Sequence, residues 1–234
     1  MTSDMGHARH APGRALTVAR CGRVPYDLAL AWQEALVARR IAGGHDALLL
    51  LEHPPVYTLG RGADARFLGA AGDGTVQVVR VGRGGQVTYH GPGQLVGYPI
   101  LGLRALRPDV RWYVRSLEAV LIDALGDLGI QAERRDGLTG VWVGPRKIGS
   151  IGVAIRRWVT WHGFALNVGA DLSGFSAITP CGIEGVIMTS IAREGRSATM
   201  DEVSDVVLAR FLRQFGYSAW QPLDAAAAYA EAQG

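Results

Sequence analysis

The chain has 234 residues, of which 48% are hydrophobic and 19% charged, values typical of a globular domain with a buried core. Its formal charge of +3 is spread along the chain, without the dense basic and aromatic clusters of nucleic acid binding. No apolar run approaches the ~18 residues of a membrane span, and two cysteines do not make a disulfide framework. CxxC and HExxH motifs are absent, so a metal site has little support. We expect one cytoplasmic domain, residues 14–234, after a flexible polar tail, residues 1–13.

Apolar periodicity predicts strands and helices in an irregular order. Strands are predicted at residues 16–20, 47–51, 56–59, 76–80, 87–89, 95–101, 141–143, 148–155 and 159–168. Helices are predicted at residues 26–41, 109–128 and 200–215, the third with Thr199 as its N-cap, and a short helix follows Pro222. Runs of strands broken by a few helices are typical of an α+β or mixed α/β domain. Regular βαβ alternation is missing, which disfavours a doubly wound nucleotide-binding fold.

Positive charge is carried by 23 arginines and one lysine, Lys147. Arginine does not release its proton in a protein, whereas burial readily lowers the pKa of lysine, so that lysine can release its proton. The contrast indicates a role for Lys147 in proton transfer, with chance survival of one lysine in an arginine-rich chain as the alternative.

A glycine-rich segment at residues 83–99 surrounds Thr88, Tyr89 and His90. Glycine lets the backbone approach a ligand closely, and adjacent amides can cradle a carbonyl or phosphate group. The segment lacks the GxxxxGK[ST] pattern, which disfavours a P-loop. A tight hairpin with structural glycines is the alternative interpretation.

Two further segments read as strands that line a pocket. Lys147 opens KIGSIG, residues 147–152, where small residues along a strand indicate the close approach of backbone or ligand; a sheet bend is the alternative. His162 opens HGFALN, residues 162–167, in which apolar and small residues alternate. For His162 a hydrogen-bonded structural histidine is the alternative.

Cys181 lies between Pro180 and Gly182, on a predicted turn where its sulfur can face a cleft. A lone cysteine is usually an inert apolar residue, and Cys21, beside an apolar strand, is interpreted in this way. A lysine ammonium near Cys181 would favour its thiolate, the thiolate could attack an acyl carbonyl, and Lys147 could move the protons. The two residues therefore predict an acyltransferase, although their spacing does not show that they meet.

Five motifs in order resemble those of the lipoyl(octanoyl) transferase family, also called octanoyl-[acyl carrier protein]:protein N-octanoyltransferase. They are LLLEHPPVYTLGR (49–61), RGGQVTYHGPGQLVGYPI (83–100), KIGSIGV (147–153), HGFALNV (162–168) and PCGI (180–183). The resemblance covers roughly residues 15–217. It implies the fold of the biotin/lipoate protein ligase superfamily, an α/β (α+β) fold with a mixed β-sheet flanked by helices.

The resemblance also implies a reaction and its site. An octanoyl group would move from octanoyl-acyl carrier protein to a lysine of the lipoyl domains of 2-oxo-acid dehydrogenases or of the glycine cleavage H protein. This is the first step of endogenous protein lipoylation. Cys181 would carry the acyl group as a thioester and Lys147 would activate it, without cofactor or metal, in a monomer that binds neither nucleic acid nor membrane. The implied substrate-binding residues are Arg83, Gly84, Gly85, Gln86, Val87, Thr88, Tyr89, His90, Ser150, Ile151, Gly152, Gly163, Phe164 and Ala165.

Three other functions are compatible with some of these features. An ATP-dependent lipoate or biotin ligase on the same fold would adenylate a free acid and would not need Cys181. A cysteine hydrolase would pair Cys181 with His90 or His162. A protein that only binds acyl groups or their carrier would not depend on Cys181 at all.

Overall fold

The computed structural model of the chain describes residues 15–169, 171–183 and 185–233, and the predicted tail, residues 1–13, lies outside them. The strands in the described ranges are β1 (Ala15–Arg23), β2 (Asp46–Glu52), β3 (Val56–Leu59), β4 (Gln77–Arg80), β5 (Val87–His90), β6 (Gln94–Ile100), β7 (Glu133–Arg135), β8 (Leu138–Val143), β9 (Arg146–Arg156), β10 (Val159–Asn167), β11 (Ile187–Met188) and β12 (Ala219–Pro222). The α-helices are α1 (Tyr26–Ile41), α2 (Leu103–Leu106), α3 (Val110–Asp127), α4 (Met200–Phe215) and α5 (Ala225–Gln233). None of these helices is long and apolar enough to cross a membrane.

One large mixed sheet organises the molecule. Its strand order is β12-β1-β2-β6-β10-β9-β8-β7, and β11 pairs with β9. β1 runs parallel to both of its neighbours, and β11 runs parallel to β9. The central pairs β2–β6, β6–β10 and β10–β9 are antiparallel. This mixed sheet confirms the expected fold class.

The two faces of the sheet bury separate apolar cores. Along β2, Leu48 and Leu50 pack in one core and Leu49 in the other, because successive side chains of a strand point to opposite faces. The first core also contains the apolar faces of α3 and α4, including Leu117 and Phe211. The second contains the apolar faces of α1 and α5. The sheet is therefore covered by helices on both sides.

A small sheet places the glycine-rich segment. Its order is β4-β3-β5, with β4 parallel and β5 antiparallel to β3. The strands before and after the glycine-rich turn thus flank β3 and do not pair with each other as a hairpin. The backbone N–H of Gly84 donates to the Val153 carbonyl at 2.9 Å. This contact joins the turn to β9 beyond the residues where β9 pairs with β8.

The predicted long elements are present with small shifts of their ends, and α4 begins at Met200 with Thr199 as N-cap as expected. The Thr199 hydroxyl accepts from the Glu202 backbone, and the Glu202 side chain accepts in return, a capping box. The sequence patterns missed α2, β7, β11 and β12. β11 has two residues, and β12 is exposed along its whole length, so neither has the apolar alternation by which strands are recognised.

Candidate active site

A cavity of about 260 Å³ lies where the glycine-rich segment faces β9 and β10. Three of the four segments singled out in the sequence contribute several residues each, and the fourth contributes Cys181 and Ile183. The lining residues are Tyr26, Arg83, Gly85, Gln86, Val87, Thr88, His90, Val96, Tyr98, Gly137, Leu138, Thr139, Lys147, Ser150, Ile151, Gly152, His162, Gly163, Phe164, Ala165, Cys181 and Ile183.

Cys181 and Lys147 meet at this cavity. The Lys147 ammonium donates to the Cys181 sulfur at 3.1 Å and to the Thr139 carbonyl at 3.0 Å. The Lys147 side chain is 1% exposed, whereas Cys181 is partly exposed. Among the described residues, the buried Lys147 side chain thus donates to the thiol and to one backbone carbonyl.

The backbone at Cys181 is unusual for a residue with a side chain. Its φ is +58°, and Gly182 follows at +67°. Positive φ in a non-glycine residue costs energy and is found most often at functional positions. Pro180 precedes this turn and fixes the entry of the chain. The turn predicted from Pro180 and Gly182 is present, and it presents the thiol to the cavity.

Glycine at position 140 leaves room for the lysine. Gly140 on β8 has φ +126°, and a Cβ atom there would lie 2.7 Å from Cε of Lys147 and 2.6 Å from the Gly149 carbonyl oxygen. The Lys147 ammonium also lies 5.4 Å from the centre of the Trp142 ring, within the range of a cation–π interaction. These neighbours fix the ammonium on the side of β9 that faces Cys181.

Arg83 holds the glycine-rich segment in shape. Its guanidinium donates to the carbonyls of Gln86 at 2.9 Å and of Gly84 at 3.1 Å, and to both oxygens of Thr58 at 2.7 Å. Burial lowers the pKa of Arg83, and four carbonyl or hydroxyl contacts compensate its charge. Arg83 lines the cavity, yet most of its donors are already used by the protein.

His90 gives another part of the cavity wall a neutral polar surface, and His53, which is not a lining residue, lies next to it with the ring centres 5.8 Å apart. His90 contacts the Gln94 amide oxygen at 2.7 Å through Nδ1, and His53 contacts the Val24 carbonyl at 2.7 Å and the Tyr98 hydroxyl at 2.8 Å. Burial lowers the pKa of His90 to about 3 and that of His53 to about 4. Both rings are therefore uncharged at neutral pH.

His162 differs from the structural histidine that was the alternative interpretation. Its side chain is 1% exposed, and neither ring nitrogen has a hydrogen-bond partner among the described residues. Its φ is +54°, its backbone N–H donates to the Gln33 amide oxygen at 2.8 Å, and its ring stacks on Trp161. Burial, together with the charge of Arg83, lowers the pKa of His162 to about 3. A neutral ring whose two nitrogens have no hydrogen-bond partner in the described ranges thus lines the cavity.

Twelve of the fourteen expected substrate-binding residues line the cavity, and Gly84 and Tyr89 do not. Gly84 connects the segment to β9 through its backbone. Tyr89 alternates with Thr88 and His90 along β5, and its ring packs on Tyr57 and Phe175 in a separate apolar cluster.

Several lining residues were not among the expected site residues: Tyr26 and Thr139 lie outside the quoted motifs, whereas Tyr98 and Ile183 lie within them. Tyr26 opens an ordinary amphipathic helix. The backbone carbonyl of Thr139 accepts a hydrogen bond from Lys147, and a contact of this kind cannot be predicted from the pattern of side chains. Gln94, which orients His90, was within a quoted motif but was not selected.

Comparisons with known proteins identify the family of the chain. The sequence profile of the lipoyl protein ligase A/B catalytic domain matches residues 25–212. The octanoyltransferase of Gloeobacter violaceus is 50% identical over 206 residues, which cover 87% of this chain and 91% of that protein. The octanoyltransferase of Solibacter usitatus is 53% identical over 202 residues, covering 84% and 91% respectively.

Similarity to a solved structure supports the fold. A chain from the bi-partite lipoate protein ligase and its E2 lipoyl domain from Thermoplasma acidophilum has a TM-score of 0.71 at 18% identity, covering 94% of this chain and 92% of that chain. Likeness at this level of identity bears on architecture alone. The profile and the close relatives confirm the resemblance that the five motifs predicted. The chain therefore belongs to the family of lipoyl protein ligase A/B catalytic domains.

Proposed function

We propose that this protein transfers an octanoyl group from octanoyl-acyl carrier protein to a lysine of a lipoyl domain, through a thioester on Cys181. Relatives at 50% and 53% identity named octanoyltransferases support the acyl group and the reaction class. The observation that carries the mechanism is the 3.1 Å hydrogen bond between the Lys147 ammonium and the Cys181 sulfur. The acceptors would be the lipoyl domains of 2-oxo-acid dehydrogenases and the glycine cleavage H protein. The proposal places a single catalytic domain, residues 14–234, in the cytoplasm as a monomer.

The first half of the reaction loads Cys181. Its thiolate, stabilised by the Lys147 ammonium, attacks the carbonyl carbon of the donor thioester. A bond forms between that carbon and the Cys181 sulfur, and the bond to the donor sulfur breaks. The departing donor thiolate takes a proton from Lys147, which becomes a neutral amine. One thioester replaces another, so the step needs no ATP.

The second half unloads Cys181 onto the acceptor. The lysine amine of the lipoyl domain attacks the carbonyl carbon of the enzyme thioester, an amide forms, and Cys181 leaves as thiolate. The neutral Lys147 amine accepts the proton that the attacking nitrogen releases, which restores the starting ammonium. Amides are more stable than thioesters, so this half-reaction proceeds downhill.

The cavity beside the dyad suits an acyl chain. Apolar side chains from three different parts of the fold, Val96, Ile151 and Phe164, contribute to its wall. The neighbouring histidines are neutral at physiological pH, because burial lowers their pKa values to about 3. An alkyl chain entering this space therefore meets no histidine charge, and the removal of its surface from water contributes to binding.

The hydrolase alternative receives less support from the geometry. The ring nitrogens of His90 contact Gln94 and Thr58, and those of His162 have no hydrogen-bond partner within the described ranges. Neither histidine is thus hydrogen-bonded to Cys181, whereas Lys147 is. A lysine at this position supports transfer to an amine, since it can both stabilise the thiolate and receive the proton of the acceptor.

The test is a reaction with purified components. The protein is mixed with octanoyl-acyl carrier protein and an unmodified lipoyl domain, without ATP, and the mass of the lipoyl domain is followed. We expect one octanoyl group on its lysine. Modification that instead requires free octanoate and ATP would show a ligase, and loss of the donor thioester with no modified acceptor would show a hydrolase. Either result would overturn the proposal.

A further inference from the structure

A buried carboxylate lies behind the Lys147 side chain, outside the cavity. Glu118, on α3, is 1% exposed. One of its oxygens accepts from the Gly140 backbone N–H at 3.1 Å. The other accepts from Arg115 at 2.8 Å and from Arg134 at 3.1 Å. Burial of a carboxylate is costly unless it is paired and hydrogen-bonded, and this one is paired on both oxygens.

The Gly140 N–H belongs to the same peptide unit as the Thr139 carbonyl. Because that unit is planar and trans, its N–H and its carbonyl point in opposite directions. The N–H donates to Glu118 on one side, and the carbonyl accepts from the Lys147 ammonium at 3.0 Å on the other. A chain of hydrogen bonds therefore runs from Glu118 through one peptide group to Lys147 and ends at Cys181.

The orientation of this peptide is not the default of a β-strand. Gly140 has φ +126°, and the pairing of β8 with β9 shifts register between Val141 and Trp142. A glycine at such an irregularity has more than one accessible backbone conformation. An acceptor outside the sheet is thus needed to select the orientation that directs the Thr139 carbonyl at Lys147.

We propose that Glu118 is a positioning residue for the reaction: it fixes the Thr139–Gly140 peptide, which in turn holds the Lys147 ammonium against Cys181. This inference rests on the dyad of the proposed function and adds a residue to it. Glu118 does not touch the cavity, so its effect on Cys181 must pass through the peptide or through space.

The two routes predict opposite shifts of the pH at which Cys181 becomes reactive when Glu118 is replaced. The charged side chains around Glu118, Lys147 and Cys181 in the described structure include Arg83, Arg115, Arg134, Arg135, Arg146 and Glu194. If Glu118 acted only through space, its neutralisation would leave two arginines uncompensated and would favour the thiolate at lower pH. If Glu118 acts through the peptide, its loss releases the ammonium, and Cys181 requires a higher pH to react.

The experiment measures the rate of Cys181 alkylation by iodoacetamide against pH, with peptide mapping to separate Cys181 from Cys21. In Glu118→Gln a single amide oxygen replaces two carboxylate oxygens, and the charged arginines compete with Gly140 for it. We expect the profile to move to higher pH by about one pH unit, which lowers the rate about tenfold at pH values on the acid side of both profiles. Glu118→Leu, which has no acceptor, should move it at least as far.

Asp46→Asn is the matched control. Asp46 is 4% exposed and likewise accepts from a backbone N–H, that of Gly102 at 2.8 Å, and from an arginine, Arg40 at 2.6 Å. It does not line the cavity. Asp46→Asn should lower thermal stability as Glu118→Gln does and leave the alkylation profile unchanged.

The results separate this inference from the proposed function. A Glu118→Gln profile that is unchanged or moved to lower pH, or an equal shift in Asp46→Asn, would overturn the positioning role. Lys147→Met tests the dyad itself, and its profile should move to higher pH. An unmoved Lys147→Met profile would overturn the activation of Cys181 by Lys147, and with it the basis of both proposals.

Discussion

At the scale of single residues, the site depends on side chains held in costly conformations or environments. Cys181 has a positive φ, and Lys147 is buried with its ammonium beside a thiol and a carbonyl. Such costs are tolerated where the surrounding structure determines the conformation. Here that structure includes Gly140, which leaves space for the lysine stem, and Trp142, whose ring faces the ammonium.

The prediction at this scale concerns Lys147→Arg. Arginine keeps the positive charge and so stabilises the thiolate, but it cannot give up or receive a proton in a protein. Octanoyl transfer measured at saturating donor and acceptor should fall by about 100-fold or more, the usual contribution of a general acid–base group. The rate of Cys181 alkylation in Lys147→Arg is the control: a rate equal to that of wild type shows that the guanidinium stabilises the thiolate as the ammonium does. Wild-type turnover in Lys147→Arg would contradict proton transfer by Lys147 and would leave its positive charge as its contribution.

Sequence reasoning selected both residues of the dyad but not their neighbours. The arginine-rich composition singled out Lys147, and the flanking Pro180 and Gly182 singled out Cys181. Their contact could not be predicted, since it depends on β11 pairing with β9 beside Lys147, and β11 has no sequence signature. Glu118 was hidden for another reason: it acts on a backbone N–H, and its place on α3 reads as one more charged helical residue.

At the scale of elements, the antiparallel pair β6–β10 forms the base of the site. Gly97 on β6 lies opposite Phe164 on β10, and the Phe164 ring covers the glycine. This packing lets β10 carry Gly163 and Ala165 into the cavity wall. Apolar periodicity predicted both strands, because each is long and buried. It did not predict their partners, since pairing across the sheet joins segments distant in sequence.

The prediction for these elements is that Gly97→Ala destabilises the protein. An added Cβ would lie 2.1 Å from Cζ of Phe164, so the ring must move out of a packed core. The free energy of unfolding measured in urea should fall by about 1–3 kcal/mol, the usual cost of overpacking.

Gly126→Ala is the matched control, because a Cβ at this position on α3 meets nothing within 4 Å. This change should stabilise the protein by about 0.5–1 kcal/mol, since alanine favours the helix. Equal effects of the two substitutions would contradict the close approach of β6 and β10.

At the scale of the whole molecule, the fold is a large sheet between two layers of helices, with a small sheet joined to β9. The large sheet and its helices were predictable as a class, because long amphipathic segments specify helices and buried runs specify strands. The position of the small sheet was not, since it depends on β4 pairing parallel to β3. His90 belongs to β5 of this small sheet, and His53, His90 and His162 are all buried near the cavity.

These histidines should make the stability of the whole molecule depend on pH. Their pKa values are lowered by burial from 6.5 to about 4 for His53 and about 3 for His90 and His162. The unfolded chain therefore binds protons that the folded chain does not, and stability is complete above pH 6.5 and decreases as the pH falls below it. Each histidine contributes up to about 1.4 kcal/mol per pH unit. Urea unfolding at pH 7, 6 and 5 measures this slope.

The substitution His53→Gln supplies the control for that slope. It should lower stability at pH 7, because two hydrogen bonds are lost. Between pH 6 and 5, the slope of the free energy of unfolding against pH should decrease by about 1.4 kcal/mol per pH unit, the contribution of one proton. A wild-type free energy of unfolding that is constant from pH 7 to 5 would show that the histidines are accessible to protons in the folded protein.

The central claim is that Cys181 carries the acyl group, and intact-protein mass spectrometry tests it most directly. The protein is incubated with octanoyl-acyl carrier protein in the absence of a lipoyl domain, and wild type is compared with Cys181→Ser. We predict that wild type gains one octanoyl group, that hydroxylamine removes it, and that Cys181→Ser gains none. An octanoyl adduct of equal yield in Cys181→Ser, or transfer to the lipoyl domain at the wild-type rate by that variant, would contradict the account.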